Sequence, residues 1–239
     1  MARWDIARTQ ELIALRHGEL QLKLSRPCLR SVTERLRHAR YHFQEARALL
    51  KLQIDDRLET ESIHVLTWLT ELEARDEFDH CLMRVEANSL ACAQAVHSVA
   101  DNLAHVVHFA LGFNLISIPP RESSVSFLTV KRLVAARPKY AAVLESLAEL
   151  ADDVSFGEMT AIVNHSKHRG IVEPRLSVEP PGAEPPYHLE FGSFSYGGRD
   201  RAEQEVQQVL APAYAAASSA VVNTGIAINA LLSDAEAWI

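Results

Sequence analysis

The fold class is decided by one stretch of the sequence, residues 82–111: LMRVEANSLACAQAVHSVADNLAHVVHFAL. Small and apolar residues return there every three or four positions, which is the spacing of one buried face of an α-helix. That face consists of Leu82, Val85, Ser89, Cys92, Val96, Val99, Leu103, Val106 and Ala110. Because no Lys or Arg occurs between Arg84 and Arg121, we expect neighbouring elements to cover most of this central helix.

Helical spacing also appears on both sides of the central helix. Small or apolar residues three and four apart predict a helix over residues 29–50, and Pro27 stands at its start, where proline is tolerated. Further helices are predicted over residues 63–72, 127–136, 139–150, 155–169 and about 200–232. The first of these is rich in β-branched residues, so a strand remains an alternative there.

A different pattern occupies the region before the last helix. Residues 171–178 and 187–196 alternate like two strands, and a change of parity at Gly192 predicts a bulge. The sequence therefore predicts a mostly α protein, an antiparallel helical bundle with a β-hairpin (residues 171–197) inserted before the C-terminal helix. We expect a single domain over residues 1–239, with residues 1–26 as an N-terminal extension.

Charge and cysteine content restrict the classes of function. The chain has 239 residues and a net charge of −7, and basic residues outnumber acidic ones only within residues 1–60. A general nucleic-acid binder is usually basic overall, so only the N-terminal quarter offers such a face. The three cysteines have no paired spacing, which indicates a reducing compartment. We expect a cytoplasmic protein without a membrane partner, because Pro212, Asn223 and Asn229 interrupt the apolar last helix.

The central helix carries a second face of polar residues at helical spacing. His97, Asp101, His105 and His108 step by four, four and three residues, so they share one side of the helix. Imidazole and carboxylate groups at this spacing predict a divalent-metal site or a proton-transfer site. A polar seam between helices, or an exposed histidine face, is the alternative.

A second polar group stands where the helix over residues 155–169 ends. Asn164 and His168 are four residues apart and face one way, and Lys167 lies beside them. If Asp101 approaches His168, the carboxylate orients the imidazole and raises its pKa, so we predict a catalytic set of Asp101, Asn164, Lys167 and His168. The alternative is that the basic residues only complement the helix dipole.

The helix over residues 29–50 has a basic flank. Arg37, Arg40 and Arg47 lie along it and are candidates for contacts with nucleic-acid phosphates. Such a flank is also typical of a solvated helix face. Phosphate-binding glycine loops and the C-x-x-C, H-E-x-x-H and G-x-S-x-G motifs are missing from the sequence, which argues against the common enzyme classes that use them.

The order of elements resembles the HEPN-like helical bundles of bacteria. Three segments carry the resemblance: HARYHFQEARALL at 38–50, SVAD at 98–101 and NHSKH at 164–168. Active HEPN ribonucleases look like metal-independent enzymes with an Arg and a polar residue shortly before a His. Asn164 and His168 match the polar residue and the His, but Val163 stands in the Arg position, so the motif is incomplete.

This resemblance implies a non-catalytic or degenerate protein that acts by binding RNA or a protein partner. We expect a homodimer, because the last helix has small residues suited to close helix packing within or between chains: Ala213, Ala216, Ala217 and Ala220. The alternative is a ribonuclease or a metal-dependent hydrolase that uses the His, Asp and Asn cluster, in which case a divalent metal is the expected cofactor.

Overall fold

A computed structural model describes residues 3–58 and 72–234 of the chain. The prediction for residues 63–71 lies outside these ranges. The helices are α1 (Ile6–His17), α2 (Glu19–Leu50), α3 (Leu72–Ala110), α4 (Phe127–Ala135), α5 (Ala141–Asp152), α6 (Val154–His168) and α7 (Val206–Ser233). A π-helical turn, Lys51–Asp55, continues α2, and short 3-10 turns occur at Glu122–Ser124 and Pro138–Tyr140. The predicted mostly α class, with a small antiparallel strand region before the last helix, is confirmed.

The strands are β1 (Pro174–Val178), β2 (Tyr187–Phe191), β3 (Phe194–Tyr196), β4 (Arg199–Arg201) and β5 (Gln204–Glu205). They form a three-stranded antiparallel sheet in the order β1-β2-β5 and a separate two-stranded sheet, β3-β4. Gly197 and Gly198 both have positive φ, 62° and 74°, which is the backbone of a tight turn between antiparallel strands. This turn folds β4 back on β3.

The strand region therefore differs from the single hairpin predicted for residues 171–197. The second predicted strand stops at Phe191 instead of continuing through a bulge at Gly192, and β3 starts a new sheet. Residues 199–205 are strands and connections, so α7 begins at Val206 instead of near Asp200. The two glycines of the turn explain the difference, since they allow the chain to reverse before the last helix.

The start of the first long helix was also predicted too late. Helix α2 begins at Glu19, and Pro27 lies inside it. Leu22 and Ser25 are buried and extend the stripe of Leu29 and Val32 upstream at helical spacing, so burial of this stripe outweighs the penalty for an interior proline. Further along α2 the predicted stripe is buried at Ala39 and Ala46.

By its internal contacts the chain divides into two compact units, which are described separately. Unit 1 comprises residues 1–37, 96–157 and 213–239, and unit 2 comprises residues 38–95 and 158–212. Helices α2, α3, α6 and α7 each contribute residues to both units. The single domain remains a prediction.

In unit 1, α1 packs against the last part of α7. The Trp4 ring lies so close to Gly225 that a Cβ on this glycine would sit 2.1 Å from a ring atom. The Trp4 indole N–H donates to the Thr9 hydroxyl (2.7 Å), which donates to the Asn229 side chain (2.6 Å). The predicted N-terminal extension therefore includes buried residues of unit 1, among them Trp4 and Leu12.

In unit 2, one face of the three-stranded sheet packs on the end of α2 and the start of α3. Leu176 pairs with Leu189, and Val178 pairs with Tyr187, so these four side chains share a face. They pack against a core that includes the buried Ile54, Phe78, Cys81 and Val85. The connection between β1 and β2 is thereby held close to the C-terminal end of α2.

Candidate functional site

A pocket of about 470 Å³ lies in unit 2 between the end of α2, the β1-β2 connection and the start of α7. We call it the α2 pocket. It is lined by Phe43, Ala46, Arg47, Ala48, Leu50, Lys51, Asp55, Leu58, Ser89, Pro185, Pro186, Tyr187, His188, Leu189, Glu205, Val206 and Gln207. Apolar walls with a few charged groups and a volume of this order are typical of ligand pockets, so it is our candidate site.

Two basic side chains line the pocket one helical turn apart, Arg47 on α2 and Lys51 at the start of the π-helical turn. Arg47 lies with its guanidinium 6.0 Å from the centre of the Phe43 ring, at the outer limit of a cation–π contact. Lys51 follows four residues later and also lines the pocket. Within the described residues, neither Arg47 nor Lys51 has an ion-pair partner. Their charges are therefore available to an anionic ligand.

Negative charge in the pocket comes in part from Asp55, the last residue of the π-helical turn that follows α2. The Tyr187 hydroxyl on β2 donates a hydrogen bond of 2.6 Å to Asp55 Oδ1. Burial, followed by this hydrogen bond and the Asp55 charge, raises the pKa of Tyr187, which keeps its hydroxyl protonated as the donor. The second carboxylate of the pocket, Glu205, accepts a hydrogen bond of 2.6 Å from Gln208. The α2 pocket is therefore lined by both cationic and anionic groups.

The predicted metal site on α3 is not assembled. Asp101 accepts a hydrogen bond of 3.0 Å from the backbone N–H of Phe127, the first residue of α4, while Ser126 caps the N–H of Thr129. His105 donates through Nδ1 to the Asp101 carbonyl of its own helix (2.9 Å). In the part of the chain that the structure describes, no group of three or more His, Cys, Asp or Glu side chains is arranged to hold a metal ion.

The other two histidines of this face lie in different environments. His97 is half-buried, whereas His108 is only 2% exposed and packs edge-on to the Phe109 ring. Burial, and to a smaller degree the neighbouring His105, lowers the pKa of His108, so the ring is neutral near pH 7. Its Nδ1 has no hydrogen-bond partner in the described structure. These contacts match the polar-seam alternative better than a metal site.

The predicted catalytic residues fall in different units. Asp101 belongs to unit 1, and Asn164, Lys167 and His168 belong to unit 2. Asn164 is half-buried, while Lys167 and His168 are exposed on the last turn of α6. Their catalytic role remains a prediction.

Sequence reasoning overlooked His165 in the same segment. Its Nδ1 donates to the Gly170 carbonyl (2.7 Å), and its ring lies 5.1 Å from that of Phe194 on β3. Arg169 donates to the Ser195 carbonyl (3.4 Å). The end of α6 is therefore fastened to the two-stranded sheet, a role that accounts for much of its polar sequence.

Only one of the three arginines predicted to contact nucleic acid lines the α2 pocket. That residue is Arg47. Arg37 forms an ion pair of 2.9 Å with Glu34, and Arg40 is exposed. Lys51 belongs to the same basic flank that the sequence shows, but sequence reasoning missed Asp55 and Tyr187. The i, i+4 spacing of Arg47, Lys51 and Asp55 was visible in the sequence, but their partner on β2 was not.

The small residues of α7 are used within the chain. Ala213, Ala217 and Ala220 are buried in unit 1, and Ala216 is half-buried. This face therefore packs internally, and the homodimer remains a prediction without this interface. Among the described residues, Val206–Ser233 is long and apolar enough to cross a membrane, a property that core helices of water-soluble proteins share.

Comparison of the chain with models of known protein families, with functionally characterised proteins and with solved structures finds no match. The resemblance to HEPN-like bundles therefore remains a prediction from the sequence, and the function rests on the chemistry of the site.

Proposed function

We propose that the protein binds single-stranded RNA, without catalysis, through the α2 pocket. The observation that carries the proposal is the line of Phe43, Arg47 and Lys51 along one wall of this pocket. Proteins bind single-stranded nucleic acids by combining cationic groups that contact phosphates with aromatic rings on which bases stack. The α2 pocket supplies both kinds of group at adjacent helical positions.

The size and shape of the pocket support a single nucleotide as the inserted group. Its volume of about 470 Å³ lies within the range of small-ligand sites. Such a pocket accepts one unstacked nucleotide, but a duplex keeps its bases paired and cannot insert one without unpairing it. We therefore expect the protein to bind flexible single strands and to discriminate against double-stranded RNA.

The overall charge of the protein supports a local binding site instead of general attraction to nucleic acids. The net charge is −7, so long-range electrostatics oppose RNA binding. Affinity must then come from a few phosphate contacts at Arg47 and Lys51. For two phosphate contacts, the slope of log K against log salt is about −1.4 for a single strand, which is shallow for an RNA-binding protein.

Fluorescence anisotropy with a labelled single-stranded RNA of mixed sequence tests the proposal. The double variant Arg47→Ala/Lys51→Ala should lose affinity by about tenfold or more, because two phosphate contacts are removed. Arg37→Ala is the matched control on the same helix, since Arg37 is already paired with Glu34 and does not line the pocket.

Four outcomes distinguish the alternatives. Equal RNA affinity for wild type and the double variant contradicts the proposal, as does equal affinity for single-stranded and duplex RNA. Cleavage of the RNA that disappears in His168→Ala supports the ribonuclease alternative instead. Intact RNA with a binding loss confined to the double variant supports a binding protein.

A further inference from the structure

We propose that Asp55 makes the α2 pocket selective for guanine, an inference that rests on the proposed nucleotide binding. Its basis is the carboxylate that Tyr187 holds on the pocket wall, at the end of the π-helical turn and eight residues after Arg47. The ligand recognised is a nucleotide whose base presents two adjacent N–H donors and whose phosphate is anionic.

The Asp55 carboxylate lies at a distinct position along the pocket. Asp55 lies at the end of the π-helical turn Lys51–Asp55, and single π-turns in α-helices are frequent at functional sites. At the α-helical rise of about 1.5 Å per residue, the eight steps from Arg47 to Asp55 separate their backbones by at most about 12 Å along the helix axis. The distance from the phosphate of a nucleotide to the Watson–Crick edge of its base is comparable to this separation, once the Arg47 and Asp55 side chains extend towards the ligand.

The Asp55 carboxylate also has hydrogen-bonding capacity that remains. The Tyr187 hydroxyl occupies one lone pair of Oδ1 at 2.6 Å, and this contact fixes the plane of the carboxylate. Within the described residues, Asp55 makes no second hydrogen bond, so Oδ2 and the other lone pair of Oδ1 can accept. Glu205 keeps the same capacity, since it also accepts one hydrogen bond, from Gln208. Asp55 is distinguished by its donor, because Tyr187 itself lines the pocket and orients the carboxylate there.

The four bases differ in how well they match this carboxylate. Guanine presents N1–H and the N2 amino group side by side, and a carboxylate accepts both in parallel. Adenine and cytosine each place one amino donor next to a ring nitrogen acceptor, which a carboxylate repels. Uracil has a single N3–H between two carbonyl oxygens and is the poorest partner. The expected order of affinity is guanine, then adenine and cytosine, then uracil.

Isothermal titration calorimetry with GMP and UMP tests the selectivity without RNA. Wild type should bind GMP about tenfold or more tightly than UMP, in line with the discrimination that one two-bond contact to a base provides. Asp55→Asn keeps an acceptor for the Tyr187 hydroxyl but replaces the other oxygen with an N–H donor that faces the guanine donors. This variant should lose most of the preference for GMP while its affinity for UMP stays the same or rises.

Two further variants separate recognition from folding. Asp56→Asn removes the same charge at the neighbouring exposed position, which does not line the pocket, and should leave the GMP preference unchanged. Tyr187→Phe keeps the ring that packs on Ile54 but releases Asp55. Because Tyr187 is a positioning residue, this variant should lose about threefold in GMP affinity without any change in UMP affinity, which a general packing defect would not produce.

Binding of short RNAs that differ at one base distinguishes this inference from the proposed function. The probes are a U-rich pentamer with one central guanine, its inosine version without the N2 amino group, and the all-uridine pentamer. RNA binding that depends on Arg47 but is equal for all three pentamers overturns guanine selectivity and leaves the proposed function standing. Selective binding of GMP that requires Asp55, without binding of any RNA, supports the inference and overturns the RNA proposal.

Discussion

The polar face of α3 and the α2 pocket both bring charged and hydrogen-bonding side chains together, but they differ in where those groups find partners. On α3, Asp101 caps the first N–H of α4, and His105 bonds to its own helix. In the α2 pocket, Arg47 and Lys51 face the pocket without ion-pair partners among the described residues. Groups already satisfied by the fold contribute stability, whereas charged groups left available in a cavity contribute binding.

This difference makes composition a poor guide to function in this chain. Histidine and aspartate at helical spacing form the more suggestive motif, yet Asp101 bonds to the start of α4 and His105 bonds to its own helix. A basic helix flank is usually a solvated surface, but a proline-rich connection, Pro185 and Pro186, covers one end of it and creates a pocket. If this difference is real, substitutions on the two regions should separate stability from RNA binding.

The first prediction tests unit 1 as a packed scaffold. Gly225→Ala should destabilise the protein by about 3 kcal/mol, because a Cβ would overlap the Trp4 ring and force it out of its buried position. The matched control is Gly157→Ala, where a Cβ meets no atom within 4 Å, and a helical Gly→Ala change should stabilise by about 0.5–1 kcal/mol. Urea unfolding measures both. Equal effects of the two substitutions would show that Trp4 is not packed on α7.

The second prediction tests the pocket as a stacking site. Phe43→Leu keeps an apolar side chain of similar size but removes the flat ring, so RNA affinity should fall about tenfold, within the range for loss of one base–aromatic stack. Tyr41→Leu removes a mostly exposed ring from the same helix, outside the pocket, and should leave affinity unchanged. Anisotropy titrations measure both variants. A larger loss for Tyr41→Leu than for Phe43→Leu would place RNA elsewhere on α2.

The third prediction concerns the α3 polar face directly. Asp101→Ala should cost about 1 kcal/mol of stability, the usual effect of losing a side-chain cap at a helix start, and should leave RNA affinity unchanged. Asp101→Asn retains an acceptor for the Phe127 N–H and should recover part of the loss. Thermal unfolding and anisotropy on the same preparations decide the matter. If Asp101→Ala keeps its stability but loses RNA binding, the polar face of α3 takes part in function, and the distinction from the α2 pocket is wrong.

The fourth and smallest effect is a dependence of stability on pH. Burial lowers the pKa of His108 below its unfolded value of 6.5, so the unfolded chain takes up a proton first as pH falls. This histidine therefore has no effect on stability well above pH 6.5 and destabilises the fold increasingly below it. The pKa of His17 is lowered by burial as well and acts in the same direction.

Urea unfolding at about pH 7.5 and about pH 5.5 measures this dependence. His108→Leu should lose less stability between the two conditions than wild type does, and His80→Gln, a change at an exposed position, should behave like wild type. If His108→Leu loses as much stability between these two pH values as wild type does, the His108 ring is hydrated in the folded protein.

The helices could be predicted from the sequence because their information is local. The stripes of α2 and α3 repeat every three or four residues, and most of the residues they select are buried in the structure. The predicted element bounds are wrong where contacts or turns beyond the repeating pattern determine the local structure. Pro27 is tolerated inside α2 because the buried stripe extends upstream of it, and Gly197 and Gly198 turn residues 199–205 into strands.

The candidate site could be predicted only in part. Arg47 was found because basic residues repeat along one helix flank. The bond between Tyr187 and Asp55 joins residues 132 positions apart, and no local pattern indicates it. The cap of α4 by Asp101 has the same character, since the acceptor belongs to another helix. Contacts of this kind depend on how elements pack, so a single sequence reveals the side chains but not their partners.

Photo-cross-linking of single-stranded RNA that contains 6-thioguanosine, followed by mass spectrometry of the cross-linked peptides, locates the bound base on the protein. RNA bound in the α2 pocket should cross-link to peptides that contain Phe43 or Tyr187, and the Arg47→Ala/Lys51→Ala variant should reduce this yield while Asp101→Ala should not. Cross-links confined to residues 97–108 of α3 or to residues 164–168 of α6 would contradict the account.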